Sequence, residues 1–322
     1  MKTDNAAIET SVAGIVKSQG PLVTLVAMCF IAAICFPAFR TPVNLANIFR
    51  QVSPIGLVSI GMAFVILSGG IDLSVGSIVA VASILAVHLS GRFGPAAVLV
   101  PILVGIAIGG LNGALVTWVK IPPFIATLAM MLGVRGLAFI IADEGAAPVV
   151  NVPEWFSQIA GGNVLGTPCP AIILMLALAA AVFISKYTSL GRSVYAVGGN
   201  EEAARMMGLS VNKCKMFVYM ICGGSAGAAG LLLASRVKAI RPDAALGWEL
   251  AAIAAVVVGG TPLTGGVGKI GHTMYGVLIL GIIPNLINHL QISLPPWYNE
   301  MIAGILLLVV VLLQSRMEGR DS

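Results

Sequence analysis

The 322-residue chain predicts an all-α fold, a polytopic transmembrane helical bundle of about ten spans that include short or broken helices. Three observations predict it. Charged residues make up 10% of the chain against 58% hydrophobic, and the mean hydropathy is +1.00; a soluble domain carries roughly 25% charged residues to cover its surface. The apolar residues form runs of about 16 to 24 that recur along the whole length, long enough to cross a bilayer as helix. No segment alternates apolar and polar residues over about ten positions, which argues against a membrane β-barrel.

The spans follow from the breaks between runs. Glycine, proline and charge breaks place them near 21–37, 53–69, 73–90, 95–118, 122–141, 169–185, 216–234, 250–262, 270–290 and 298–314. The first run is long for a signal-peptide core, and no small-x-small cleavage site follows it, so it reads as an uncleaved span. The run 250–262 is too short to cross alone and reads as a broken or re-entrant element. Ten crossings put both termini on one side. Eleven of the eighteen Lys and Arg residues then fall on that side, five of them in the loop 186–215. The positive-inside rule makes that side cytoplasmic. The chain divides into a cytoplasmic tail 1–20, a membrane domain 21–315 and a cytoplasmic tail 316–322. Polar stretches 142–167 and 235–248 face outward.

Composition also excludes functions. The net charge of +5 comes from basic residues flanking spans, without the aromatic-laced stripe of a nucleic-acid binder, so topology and lipid headgroups account for it. The five cysteines lack a C-x-x-C pair, which argues against a disulfide framework or a zinc site. There is no H-E-x-x-H. The one approach to a P-loop, Gly268-Lys269-Ile270, has Leu263 at the first glycine position and Ile270 where the magnesium-binding hydroxyl belongs.

Charges inside apolar runs are costly, so each needs a reason. Gly69 and Gly70 break one helix, and Asp72 either caps the next through N–H groups near Ser74 and Val75 or lines a polar path. Glu249 has the same two readings, because "GIDLSVGSIVAV" (70–81) and "GWELAAIAAVVV" (247–258) both read Gly-x-acid-Leu before an apolar run. "IPPF" (121–124) and "LPPW" (294–297) repeat at a nearly equal offset, a weak internal repeat of the kind that transporters are built from. Asn285, Asn288 and His289 form a polar patch in the ninth span, suited to a cavity or to helix–helix hydrogen bonds. Gly265, Gly266 and Gly268 call for irregular backbone, which survives at membrane depth only when buried in protein or lining a cavity.

The most specific stretch is "GRSVYAVGGNEEAARMMGLSVNKCKMFVY" (191–219). Asn200 can cap a short helix whose first turn carries Glu201 and Glu202. Ala203, Met206 and Met207 give it an apolar patch, and Gly208 suits a left-handed C-cap. Such a helix, standing in a charged loop with exposed methionines, fits a partner's groove. Glu202-Ala203-Ala204-x-x-x-Gly208 resembles the coupling motif of ABC-importer permeases. With "GMAFVILSGGIDLSVGSIVA" (61–80), "IPPFIATLAMMLGVRG" (121–136) and "ELAAIAAVVVGGTPLTGGVGKIGHTMYG" (249–276), the chain resembles the ribose-type monosaccharide permease family from about residue 45 onward. His272 and Met274 depart from the small aliphatic pattern there.

The resemblance implies a pair of permease subunits, either two copies of this chain or one with a similar partner. It also implies two cytoplasmic ATPase subunits, which would hold the ATP and magnesium, and a periplasmic sugar-binding protein. This chain would itself bind no cofactor and catalyse no reaction. The competing class is an ion-coupled secondary carrier or channel for a small polar solute, using Asp72, Glu249 or His289.

Overall fold

Helices form where the apolar runs lie, and proline, glycine and hydroxyl residues set their ends. The computed structural model describes residues 19–143, 147–148, 152–289, 301, 304, 305 and 308. The expected span 298–314, the "LPPW" half of the repeat and nearly all of both terminal tails lie outside or mostly outside those residues.

Helix α1 (Gly20–Cys35) leads through a 3-10 turn to α2 (Pro42–Leu67). The expected span 53–69 therefore begins eleven residues earlier. Thr41 Oγ1 accepts from Asn44 N at 3.3 Å and Pro42 occupies the first turn, a strong helix start. The polar residues that seemed to forbid an apolar span have distant partners: Asn44 pairs with Asn285, and Arg50 Nη2 donates to Asn163 Oδ1 at 2.8 Å.

Next come α3 (Val75–Phe93) and α4 (Leu99–Thr117), a hairpin closed by a 3-10 turn at Gly94–Val98, and then α5 (Pro123–Ala142). The segment after α5 holds β1 (Ala147–Pro148), α6 (Glu154–Gly161), β2 (Asn163–Val164) and β3 (Thr167–Pro168). Then follow α7 (Cys169–Tyr187), α8 (Ser189–Gly199), α9 (Glu201–Met206) and α10 (Val211–Val237). β4 (Ala239–Ile240), α11 (Trp248–Val258) and α12 (Ile270–His289) complete the described helices and strands. Among the described residues six helical stretches are long and apolar enough to cross a membrane, and one of them, Val75–Thr117, contains both α3 and α4.

The core is built on α2 and α10. Helix α10 runs along α4, α3 and α2, and its contact with α4 is a glycine seam. Built Cβ atoms at Gly105 and Gly109 would stand 2.2 Å from the carbonyl oxygens of Gly223 and Tyr219. Without a hydrophobic drive between helices in lipid, this backbone approach supplies the packing. The outward faces of α1, α5 and α7 carry Phe30, Ile34, Leu132, Ile140, Leu176 and Phe183, all exposed, as lipid contact requires.

The loops sort to two ends. At one end Gly266 N donates to Leu67 O at 3.0 Å, Tyr195 Oη to Gly268 O at 3.1 Å and Thr127 Oγ1 to Ile71 O at 3.4 Å. That end gathers the 67–74 turn, α8, α9 and the 259–269 loop. At the other end β1 pairs with β4, and Ser235 Oγ donates to Phe156 O at 2.5 Å.

The stretch 235–248, expected as an outward loop, is only partly one. After β4 it turns inward. Arg135, the thirteenth residue of α5, donates from Nη1 to Pro242 O at 2.8 Å and Ala244 O at 2.7 Å. Ala245 O and Glu249 lie against Gly76, in the first turn of α3. Helix α11 starts from that depth. Its 11 residues span about 16 Å, roughly half of a bilayer core.

Candidate functional site

The short helix α9 is assembled by local chemistry. Asn200 Oδ1 accepts from Ala203 N at 2.9 Å, Glu201 and Glu202 occupy the first turn, and Gly208 turns the chain at φ +82°. Ala204 is fully buried, whereas Met206 is 79% and Met207 71% exposed, so the helix sits on the bundle by one alanine and offers its methionines outward. Glu202 is exposed, and Ala203 is half-buried. Glu201, not singled out in the sequence, carries the electrostatics. It pairs with Arg205 on its own helix and with Lys215 on α10. Partial burial pushes its carboxyl up, but the hydrogen bonds and charges of Lys215 and Arg205 outweigh that and hold it below the usual carboxylate range.

Behind α9 lies a backbone junction. Gly198, near the end of α8, approaches so closely that a Cβ there would stand 1.8 Å from Leu67 O and 2.6 Å from Gly266 N. Gly69 (φ +78°) and Gly70 form the turn beyond it, and a Cβ on Gly70 would meet Tyr219 Oη at 2.8 Å. Thus α8, the 67–70 turn and the 265–266 loop meet main chain to main chain, next to the helix that presents the methionines.

Asp72 closes that turn and is fully buried. Its Oδ1 accepts from Ser74 N at 2.9 Å, Ser74 Oγ at 2.7 Å and Asn112 Nδ2 at 3.2 Å. Asn112 Nδ2 also donates to Ser74 Oγ at 2.8 Å, closing a triangle. Among the described residues Asp72 Oδ2 has no conventional hydrogen-bond donor, and the weak Cys222 thiol stands beside the carboxylate. Asn112 was not anticipated. Its signal was available: a lone amide within the apolar run of α4 must find a buried polar partner.

Glu249 occupies the corresponding frame at the start of α11, partly buried. Its Oε1 accepts from Gly247 N at 3.2 Å, and its buried Oε2 has no donor among the described residues and faces Gly76. Arg135 lies close enough to feel the charges of Glu249 and Asp243. In the sequence this arginine enters only as one of the seven basic residues that do not fall on the terminal side, yet a charge in mid-span is itself a functional signal.

Asn285 and Asn44 exchange amide hydrogen bonds of 2.8 and 3.2 Å between α12 and α2. Asn288 is exposed and does not join them, while His289 stacks on Phe36 with centroids 5.9 Å apart. The structure therefore separates the candidates into α9 with its glycine junction, the buried Asp72 cluster, the Glu249–Arg135 region and an interhelical amide pair.

Comparison with known proteins gives consistent results. The family described as branched-chain amino acid transport system / permease component matches residues 44–311. The ribose import permease protein RbsC of Bacillus subtilis (strain 168) is 39% identical over 305 residues, 94% of either chain. Its namesake in Escherichia coli (strain K12) is 38% identical over 92% of this chain and 94% of its own length. The L-arabinose transport system permease protein AraH of Escherichia coli (strain K12) is 35% identical, covering 93% and 91%. No solved structure matches the sequence.

Proposed function

The chain belongs to the branched-chain amino acid transport system permease family, and from that premise we propose that it is the membrane subunit of an ATP-binding-cassette importer for a monosaccharide, a pentose or hexose such as ribose. It sits in the bacterial inner membrane with both termini in the cytoplasm and pairs with a second permease subunit. ATPase subunits dock on its cytoplasmic side and hold ATP and magnesium, and a periplasmic binding protein delivers the sugar. The ribose and arabinose permeases that it resembles over nearly their full length support the substrate class.

One observation carries the mechanism. Helix α9 exposes Met206 and Met207 while its neighbour α8 meets the Leu67–Gly69 turn through main-chain contact at Gly198. ATP-driven closure of the ATPase pair pushes on α9. The push reaches α10 through the Glu201–Lys215 ion pair and reaches α2 and α3 through the glycine junction. A backbone-to-backbone contact transmits displacement without loss to side-chain rotamers. Helices displaced at that end open and close the path.

Purification in mild detergent from the native host, followed by mass spectrometry, tests the reading. A stoichiometric P-loop ATPase is expected with the wild-type chain and a weakened one with Met206→Asp/Met207→Asp. Recovery of the chain alone, even after crosslinking, overturns it.

A further inference from the structure

We propose that the inward-turning segment 239–248, the middle of α3 and the C-terminal end of α10 form a landing site for the sugar on its way into the membrane domain. The inference rests on the importer reading and adds a place and a chemistry to it. A cavity of about 310 Å³ lies there, lined among others by Ser83, Leu233, Arg241, Asp243 and Trp248. It is at the small end of ligand cavities, roughly 300–1,000 Å³, and suits one monosaccharide ring better than a large solute.

Its chemistry is that of a sugar site. A pyranose or furanose presents an apolar C–H face and a rim of hydroxyls, each both donor and acceptor. Trp248 and Leu233 supply an apolar wall, and an indole offers a flat electron-rich face to C–H groups. Arg241 and Asp243 supply the rim. Arg241 donates from Nε and Nη2 to the two carboxylate oxygens of Asp243 at 3.2 and 2.8 Å, so a planar set of donors and acceptors stands pre-ordered. Both side chains stay about half exposed, leaving lone pairs and N–H groups free for hydroxyls.

The backbone holding these groups is fixed from outside the cavity. Arg135 clamps the carbonyls of Pro242 and Ala244, on either side of Asp243. Ala245 and Gly247 take left-handed conformations, φ +57° and +79°, that turn the chain into α11. Beyond Trp248, Glu249 Oε2 has no donor among the described residues, so the segment ends on an unsatisfied acceptor at the depth where the half-length helix begins.

The test uses the chain with its ATPase and binding protein in proteoliposomes. Cysteine is placed by Ala244→Cys in a Cys35→Ser background, and alkylation by a polar maleimide is followed from the outer side. D-ribose at tens of millimolar is expected to slow alkylation at least about twofold, glycine betaine is not, and Trp248→Leu abolishes the protection. ATP-driven ribose uptake falls about tenfold in Trp248→Leu and several-fold in Asp243→Asn, while Trp248→Phe keeps most of it. Should Trp248→Leu fail to accumulate, Trp248→Phe and the protection assay still decide. Alkylation indifferent to sugar, or wild-type uptake in Trp248→Leu and Asp243→Asn, overturns the proposal and leaves the importer intact. No ATP-driven sugar uptake by the wild-type assembly instead overturns the importer reading.

Discussion

Asp72 and Glu249 share a local frame, Gly-x-acid-Leu before an apolar helix, and the fold treats them differently. Asp72 is sealed among α3, α4 and α10, with three donors on one oxygen. Glu249 has one weak backbone contact, a bare second oxygen and a neighbouring arginine. The first carboxylate is consumed by holding a turn at the end of the bundle where α8 and α9 lie. The second keeps unused hydrogen-bonding capacity at a break in a span. A shared local pattern thus leaves open whether an acid is structural, because part of what decides the matter, here Asn112 and Arg135, comes from other helices.

The sharpest way to break the comparison is Asp72→Ala. It strands the donors of Ser74 and Asn112 in a dry interior and is expected to cost about 3 kcal/mol, read as lost abundance and a lower thermal midpoint in detergent. Gly76→Ala comes next. The new Cβ would stand 2.4 Å from Glu249 Oε2 and 2.6 Å from Ala245 O, so the inward segment must shift, at about 2 kcal/mol and with loss of transport. Asp72→Asn keeps an acceptor for the same donors and is expected to stay within about 1 kcal/mol of wild type with near-normal uptake. Glu249→Gln should change stability by no more than about 0.5 kcal/mol yet cut uptake several-fold. A stable, active Asp72→Ala, or a Glu249→Gln chain that transports normally, would erase the distinction.

The smallest effect on stability belongs to Glu201, a partly exposed carboxylate. Its folded pKa lies below the unfolded value, so its contribution is complete above about pH 4.3 and disappears as pH falls through the folded value. With 43% of the side chain exposed, solvent screening keeps that contribution under about 1 kcal/mol. Glu201→Gln should therefore lower the thermal midpoint slightly at pH 7, by an amount that shrinks as pH falls below about 4.3.

What could be read from the sequence was local. The cap and left-handed stop of α9 follow from Asn200 and Gly208, which act within one turn of chain. The half-length of α11 follows from counting apolar residues. The early start of α2 did not, because Asn44 and Arg50 look wrong for a span until Asn285 and Asn163 are placed beside them. Asn112, forty residues from Asp72 in the chain, was hidden for the same reason. Two signals were present and unread. Gly105, Gly109 and Gly113 at four-residue spacing announce a close helix contact, and Arg135 in the middle of an apolar run announces a buried partner.

The central claim is that ATP-driven motion enters this chain through α9 and moves a sugar across the membrane. Its most direct measurement is ribose uptake by proteoliposomes holding the chain, its ATPase and its binding protein, with Gly198→Ala and wild type side by side. The account predicts uptake that requires ATP and survives an uncoupler, and in Gly198→Ala continued ATP hydrolysis with uptake lost. Uptake without ATP that collapses with the ion gradient would contradict it and make the chain an ion-coupled carrier.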